Sequence, residues 1–369
     1  MNVILVFTFG VSLKDWLETG LLSREIKLYE EIAKNENITF TFLTFGDKSD
    51  TELIQNKSIS VIPIYQYIKK SKNTYVNFIK SFWIPFLIKN KIPKSHLIKT
   101  NQLFGSWIAI ILKKILKIPL FVRTGFNPYE FKVIEKKAFK IRVFYFLLIK
   151  ISYIFCDIFT VTSNSDKKNI QNISKKSEKL FLHRNFITNL SFKDYEDRYE
   201  YKIFSVGRLI DQKNFKKLIE LFSDSIFEVN IAGDGPDREA LLNYAEKKNC
   251  NLKLLGQIEN KELLKYYTNY KFFLSTSNYE GNPKALLEAM ASGCIVFTTK
   301  NKNSLEIIEN NKNGFFIESN NISNKVENLL ENPELAKKII ENGYETIRKN
   351  YLIEKIIEDE IRIYNSLIG

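Results

Sequence analysis

The sequence has little of what builds covalent or metal-held frameworks. Its three cysteines, Cys156, Cys250 and Cys294, are too few and too scattered across 369 residues for a disulfide framework or a zinc site, and they suit a reducing compartment. Histidine is scarcer still, with only His96 and His183. Long apolar runs are missing too. Residues 107–112 and 143–155 are the greasiest stretches, but they are short or broken by Lys150 and Ser152. Both fall below the ~20 apolar residues of a spanning helix, so the chain is expected not to be integral to a membrane. Residues 1–9 lack a basic leader and read as a first buried strand rather than a signal peptide. Acid is absent from residues 53–129, which hold twelve lysines and Arg123. That segment therefore carries a charge equal to the +13 of the whole chain, and the remainder is neutral.

What is present is an ordinary globular composition, 44% hydrophobic and 26% charged, in a chain long enough for two domains. Apolar or β-branched runs recur at residues 3–9, 38–45, 59–65, 97–100, 120–123, 158–162 and 180–182. A second series follows at 203–206, 227–232, 252–255, 272–275, 295–298 and 315–317. Helix-period segments such as 22–34, 107–116 and 134–155 lie between them, which predicts an α/β chain with two parallel sheets. The polar stretch 185–201 reads as a linker, and residues 335–367 read as helix.

In the acid-free segment, Lys69, Lys70, Lys72, Lys80, Lys89, Lys91, Lys94 and Lys99 are interleaved with Tyr75, Phe78, Phe82, Trp83, Pro85 and Phe86. Lysines and exposed aromatics suit the headgroup layer of an anionic bilayer. The same chemistry binds nucleic acid, but no recognition motif accompanies it and no nucleic-acid partner is expected. The plainer alternative is a solvated lysine face over core aromatics.

The most informative stretch runs Tyr279-Glu280-Gly281-Asn282-Pro283-Lys284-Ala285-Leu286-Leu287-Glu288-Ala289-Met290-Ala291-Ser292-Gly293. Gly281 and Pro283 suit a tight turn at a helix start, where exposed N–H groups hold hydroxyls or anions. Good helix formers follow, and Gly293 stands where a cap is expected. Glu288 falls mid-helix among Leu286, Leu287, Ala289 and Met290, so its carboxylate needs a partner. That partner is either a basic residue of the fold or a ligand with two adjacent hydroxyls, such as a ribose.

This stretch resembles the Glu-x7-Glu signature of the retaining GT-B glycosyltransferases of family 4, the glycosyl transferases group 1. Ser205-Val206-Gly207-Arg208-Leu209 with Lys213-Asn214, Ile231-Ala232-Gly233-Asp234-Gly235-Pro236, and Leu255-Gly256 resemble further motifs of that family in the same order. The first half of the chain is similar only loosely. The resemblance implies two doubly wound Rossmann-like domains facing each other across a cleft. Residues 1–187 would bind acceptor, 188–350 would bind the nucleotide sugar, and 351–369 would form a helix crossing back.

It also implies roles. Arg208 and Lys213 would neutralise the donor diphosphate, and Glu280 would hold donor-sugar hydroxyls. Glu288 would take the ribose diol, while Gly207, Gly233, Asp234, Gly235 and the Gly281-Asn282-Pro283 loop would border the donor. On the acceptor side, Gly10, Lys14 and Arg123 are the candidates. Many family members have His-Gly where this chain has Arg123-Thr124-Gly125-Phe126, which puts a histidine-assisted step in doubt. Transfer with retained configuration, no metal and no cofactor is the expectation. The partners expected are a nucleotide sugar, a UDP-sugar first, and a glycan acceptor such as a polyprenyl-diphosphate-linked one. The basic segment 53–129 would meet an anionic membrane at the cytoplasmic face. A sugar-nucleotide 2-epimerase and a non-catalytic nucleotide-sugar-binding subunit remain as alternatives.

Overall fold

The computed structural model describes residues 1–188, 190–318 and 321–369, apart from the side chains of Asn35 and Glu36. They form two compact units, Met1–Arg184 with Glu354–Gly369, and Asn185–Ile353.

The first unit carries a parallel sheet of β1 (Asn2–Val6), β2 (Thr39–Thr44), β3 (Ile59–Pro63), β4 (Leu97–Thr100), β5 (Leu120–Arg123), β6 (Ile158–Val161) and β7 (Leu180–Leu182). Its strand order is β3-β2-β1-β4-β5-β6-β7. The second carries β8 (Tyr199–Val206), β9 (Glu228–Ala232), β10 (Asn251–Gly256), β11 (Tyr270–Ser275), β12 (Ile295–Thr298) and β13 (Phe315–Phe316), ordered β10-β9-β8-β11-β12-β13. This is the α/β pattern the apolar runs predict. Parallel sheets are covered on both faces, so their strands are apolar throughout rather than alternating. Ile203, Val229, Phe272 and Phe297 enter one apolar cluster of the second unit, and their neighbours Phe204, Phe273 and Val296 enter another. In both sheets the strand order reverses once, between β1 and β4 and between β8 and β11. Loops after those strands diverge there, the place where open α/β sheets take ligands.

Three local expectations are corrected. The helix read over residues 134–155 is two helices, Pro128–Ile134 and Phe139–Phe155, with Lys136 at φ 51° between them, a left-handed turn that no helix continues through. Residues 335–367 likewise fall in two helices, Pro333–Asn350 and Ile353–Ile368. The stretch 185–201 is not all linker, although Asn189 within it lies outside the described residues. Arg198 is 3% exposed, and its guanidinium donates to Lys193 O at 2.9 Å and to Ser292 O and Gly293 O at 2.9 and 2.7 Å. It thereby satisfies carbonyls at the end of helix Lys284–Ala291, and Gly293, at φ 75°, leaves room for it.

The basic segment is also corrected in part. Lys99 is wholly buried on β4, where its ammonium hydrogen-bonds the buried carboxylate of Glu360 on helix Ile353–Ile368. Tyr364 donates to the same carboxylate, and His183 Nε2 stands 3.2 Å from its other oxygen. Pro85 is buried, whereas Tyr75, Phe82, Trp83 and Phe86 are exposed.

Candidate functional site

The site is built from the loops that leave the second sheet at its reversal. β8 ends at Val206, and Gly207 follows with its N–H on Ala232 O. A Cβ at Gly207 would come within 3.0–3.2 Å of three carbons of the Lys213 stem. Glycine thus lets the lysine lie flat over the strand end and deliver Nζ to Glu280 Oε1, 2.5 Å away. The pair is 21% and 10% exposed, open enough for a ligand to reach.

The two loops that carry the pair are joined along their length. Asn278 N donates to Gln212 O at 2.9 Å, and Gln212 Nε2 donates to Tyr279 O at 3.0 Å. Thr276 Oγ1 donates to Lys213 O and Asn214 Nδ2 to Asn278 Oδ1. Asn214, at φ 48°, turns the chain from this loop into helix Phe215–Leu221.

The loop after β9 crosses the first of them backbone to backbone. At Gly233, φ 144°, a Cβ would stand 1.9 Å from Gly207 O, so no side chain fits there. Leu209 N donates to Asp234 O and Gly233 N to Gly256 O. A Cβ at Gly235 would lie 2.5 Å from Leu209 O. The Asp234 carboxylate accepts from Gly235 N at 2.8 Å and has Arg238 at 4.0 Å. Arg208 is exposed beside this crossing, and its guanidinium has no ion pair among the described residues.

On the other side stands the loop into helix Lys284–Ala291. Asn303 Nδ2 donates to both Glu280 O and Gly281 O, at 2.5 and 2.6 Å, and so fixes the backbone of the carboxylate's own residue. Asn282 Oδ1 is buried and has no hydrogen-bond partner among the described residues. An acceptor left this way costs about 1–3 kcal/mol, which a ligand donor would offset. Pro283 precedes the first helical residue. Glu288, 5% exposed in the middle of that helix, accepts from Asn260 Nδ2 and Tyr267 Oη, each at 3.3 Å.

Gly207, Arg208, Lys213, Gly233, Asp234, Gly235, Glu280, Gly281, Asn282 and Pro283 are thus brought together by adjoining loops, and Glu288 stands behind them. Asn303, Asn260 and Tyr267 went unnoticed in the sequence. Asn303 sits in a polar Lys-Asn-Lys-Asn run that reads as plain loop, and nothing local marks the other two. Among the described residues no group of three or more His, Cys, Asp and Glu is placed to hold a metal ion.

The three acceptor-side candidates separate within the first unit. Gly10 adopts φ 81° in the turn after β1 and lines an apolar cavity. Lys14 lines a neighbouring polar cavity of about 560 Å³ and pairs loosely with Glu18 at 3.9 Å, both well exposed. Asp50, which the sequence did not single out, is fully buried and accepts from Leu13 N and Lys14 N, holding the start of helix Leu13–Glu18. Arg123 is 8% exposed at the end of β5 and donates through Nη1 to Asn101 O at 3.3 Å. Its charge acts on Lys99, Tyr29 and Tyr364, which places it with the buried charges.

Comparison with known proteins agrees with this architecture. Residues 186–346 match the family model described as Glycosyl transferases group 1. A poly(ribitol-phosphate) alpha-N-acetylglucosaminyltransferase of Staphylococcus aureus is 31% identical over 173 residues, which is 44% of this chain and 34% of that protein. An undecaprenol-diphosphate-linked-glycan alpha-1,4-N-acetyl-D-galactosaminyltransferase of Campylobacter jejuni is 26% identical over 69% of this chain and 71% of its own length. The chain thus spans only about a third of the first relative. Among solved structures, sucrose-phosphate synthase from Thermosynechococcus elongatus superposes with a TM-score of 0.83 at 17% identity, covering 100% of this chain and 99% of that one. HepE of Anabaena, solved in complex with UDP, does so with a TM-score of 0.75 at 14% identity over the whole of both chains. These structural likenesses speak to fold. The chain thus carries, over residues 186–346, a match to the glycosyl transferases group 1 family, and its two parallel sheets have the GT-B fold of these structures.

Proposed function

We propose that this protein is a retaining glycosyltransferase that moves a sugar from a UDP-sugar to a hydroxyl of a lipid-linked or cell-surface glycan. The observation that carries the reading is the Lys213–Glu280 pair, held at the β8/β11 reversal by Gly207 and crossed by the Gly233 loop. Lys213 and Arg208 supply positive charge where the nucleoside diphosphate becomes more anionic as the C1–O bond of the donor breaks. The acceptor oxygen forms its bond to C1 on the face the diphosphate leaves, and the hydroxyl proton passes to a diphosphate oxygen. Configuration at C1 is therefore kept without a covalent enzyme intermediate. Glu280 holds sugar hydroxyls, the orphaned Asn282 Oδ1 accepts from the donor, and Glu288 takes the ribose diol. Because the pair is already ordered by the loop hydrogen bonds, little reorganisation accompanies the reaction.

UDP as the carrier is supported by HepE, solved with UDP-glucose. A lipid-linked acceptor is supported by the name of the Campylobacter relative. No helix among the described residues is long and apolar enough to cross a membrane. The reading therefore includes peripheral attachment at the inner face of the cytoplasmic membrane, through exposed Tyr75, Ile79, Trp83 and Phe86 with the lysines around them.

A thermal-shift panel of UDP-, GDP-, CMP- and ADP-sugars tests the donor site. UDP-sugars should stabilise the protein by about 2.7 kcal/mol at a hundred times Kd, and Glu288→Ala should abolish that gain. Stabilisation by none of the four classes would sink the reading. For the membrane, reversing the charge of Lys69, Lys70 and Lys72 should release the protein from anionic vesicles; unchanged binding would return the segment to a solvated face.

A further inference from the structure

The loop after β12 is built to hold one side chain still. Asn301 Oδ1 accepts from Asn303 N at 3.1 Å and from Ser304 N at 2.9 Å, a side-chain turn that fixes both residues. The Ser304 hydroxyl, fully buried, accepts from Asn301 N at 2.9 Å and donates to Thr299 O at 2.8 Å. Thr299 is tied in turn to the loop after β11, its N–H donating to Ser275 O at 3.0 Å and its hydroxyl to Ser277 O at 2.5 Å. Asn303, 7% exposed, therefore projects its amide from a rigid base onto the Glu280 loop.

The chemistry of that amide decides what it does there. Both of its partners, Glu280 O and Gly281 O, are carbonyl oxygens that only accept, so the nitrogen end faces them and both of its hydrogens are spent. The oxygen end is left buried, with no hydrogen-bond partner among the described residues. A buried acceptor without a donor offsets what the two bonds contribute, so the side chain adds little to stability. What the bonds secure is local. The two carbonyls belong to the peptide groups on either side of Gly281, a residue with no Cβ to limit its rotation. Clamping both groups removes that freedom and fixes the direction of the Glu280 carboxylate, 2.5 Å from Lys213 Nζ.

We propose that Asn303 is the positioning residue of the donor-sugar site. By locking the peptide groups that flank Gly281 it holds the Glu280 carboxylate at the transferred sugar, and so sets how much of the donor's affinity comes from the sugar rather than from the nucleotide. The proposal rests on the glycosyltransferase reading and adds to it a residue that acts on Glu280 through the backbone.

Calorimetric titration of the full chain with UDP, and with the UDP-sugar selected by the nucleotide panel, separates the two contributions. Asn303→Ala should lower the affinity for the UDP-sugar about tenfold and leave that for UDP unchanged, with little movement of the urea midpoint. Asn303→Ser, whose hydroxyl is too short to span the two carbonyls, should behave alike. In a Glu280→Ala background Asn303→Ala should cost nothing further, because the carboxylate it positions is gone. Equal loss of affinity for UDP and UDP-sugar, or a full further loss on top of Glu280→Ala, would overturn the proposal. Loss of the folded state in both Asn303 variants would do the same, by making the amide a stabiliser of the fold. If UDP-sugars fail to bind the wild type, the glycosyltransferase reading falls and this assignment with it. If they bind, and both Asn303 variants match the wild type, the assignment alone falls.

Discussion

Lys99–Glu360 in the first unit and Lys213–Glu280 in the second are the same chemical pair in opposite settings. The first is sealed, with both side chains at 0% exposure and Tyr364 and His183 completing the shell. The second is open on one side and framed by glycines and an orphaned amide oxygen. A sealed pair is an internal matter: each charge exists there because the other does, and removing one leaves the other stranded. An open pair keeps its charges in place while leaving them available. Exposure, rather than the contact, separates architecture from chemistry.

The largest expected effect falls on the sealed pair. Glu360→Leu strands Lys99 and should cost about 3–5 kcal/mol in urea unfolding, whereas the double variant Lys99→Met/Glu360→Leu should recover most of that loss. A single variant as stable as the wild type would erase the distinction. Next comes the open pair: Lys213→Ala should lower turnover by about 10²–10³-fold, while stability moves by no more than ~1 kcal/mol. Destabilisation as great as that of Glu360→Leu would make this pair structural too.

The pH dependence sharpens the contrast further. Burial pushes the Glu360 carboxyl up, but Lys99 and His183 outweigh it and hold the group well below the ordinary carboxylate range. A depressed carboxylate contributes stability that is present above the unfolded value of 4.5 and lost as pH falls below it. Wild type should therefore lose up to about 1.4 kcal/mol per pH unit from this one group, and the double variant should show a shallower acid limb. The smallest effect is on Gly207→Ala. The new methyl would press the Lys213 stem off its rotamer at about 0.5–1.5 kcal/mol, a few-fold loss in turnover with the fold intact. Gly233→Ala, facing a backbone oxygen that cannot step aside, should do more harm in the same assay.

The same contrast explains what was legible in the sequence. The second unit's loops are short, contiguous and rich in glycine, so Gly207 to Lys213, Gly233 to Gly235 and Glu280 to Glu288 could be read as groups before their contacts were known. Strands were legible in both units because parallel strands are unbroken apolar runs. Lys99, His183 and Glu360 carried no such signal. They lie far apart in the chain, and Lys99 stood in a segment whose many lysines suggested a surface. Asn303 was hidden for the opposite reason, as one more polar residue in a loop whose fold brings it under Glu280. Local chemistry is visible in sequence, whereas partners supplied by topology are not.

The sealed pair also bears on the order of events during synthesis. Glu360 follows Lys99 by 261 residues. At ~5–20 residues per second a ribosome needs roughly 13 to 52 s to supply the partner. Nascent chains ordinarily complete their leading domain first. Here the trailing unit, Asn185–Ile353, is fully translated while the leading one still lacks the counter-charge for a lysine in its central sheet. The half of the molecule made first is thus the half finished last, and its final strut is a helix that no nascent chain shorter than residue 360 can provide.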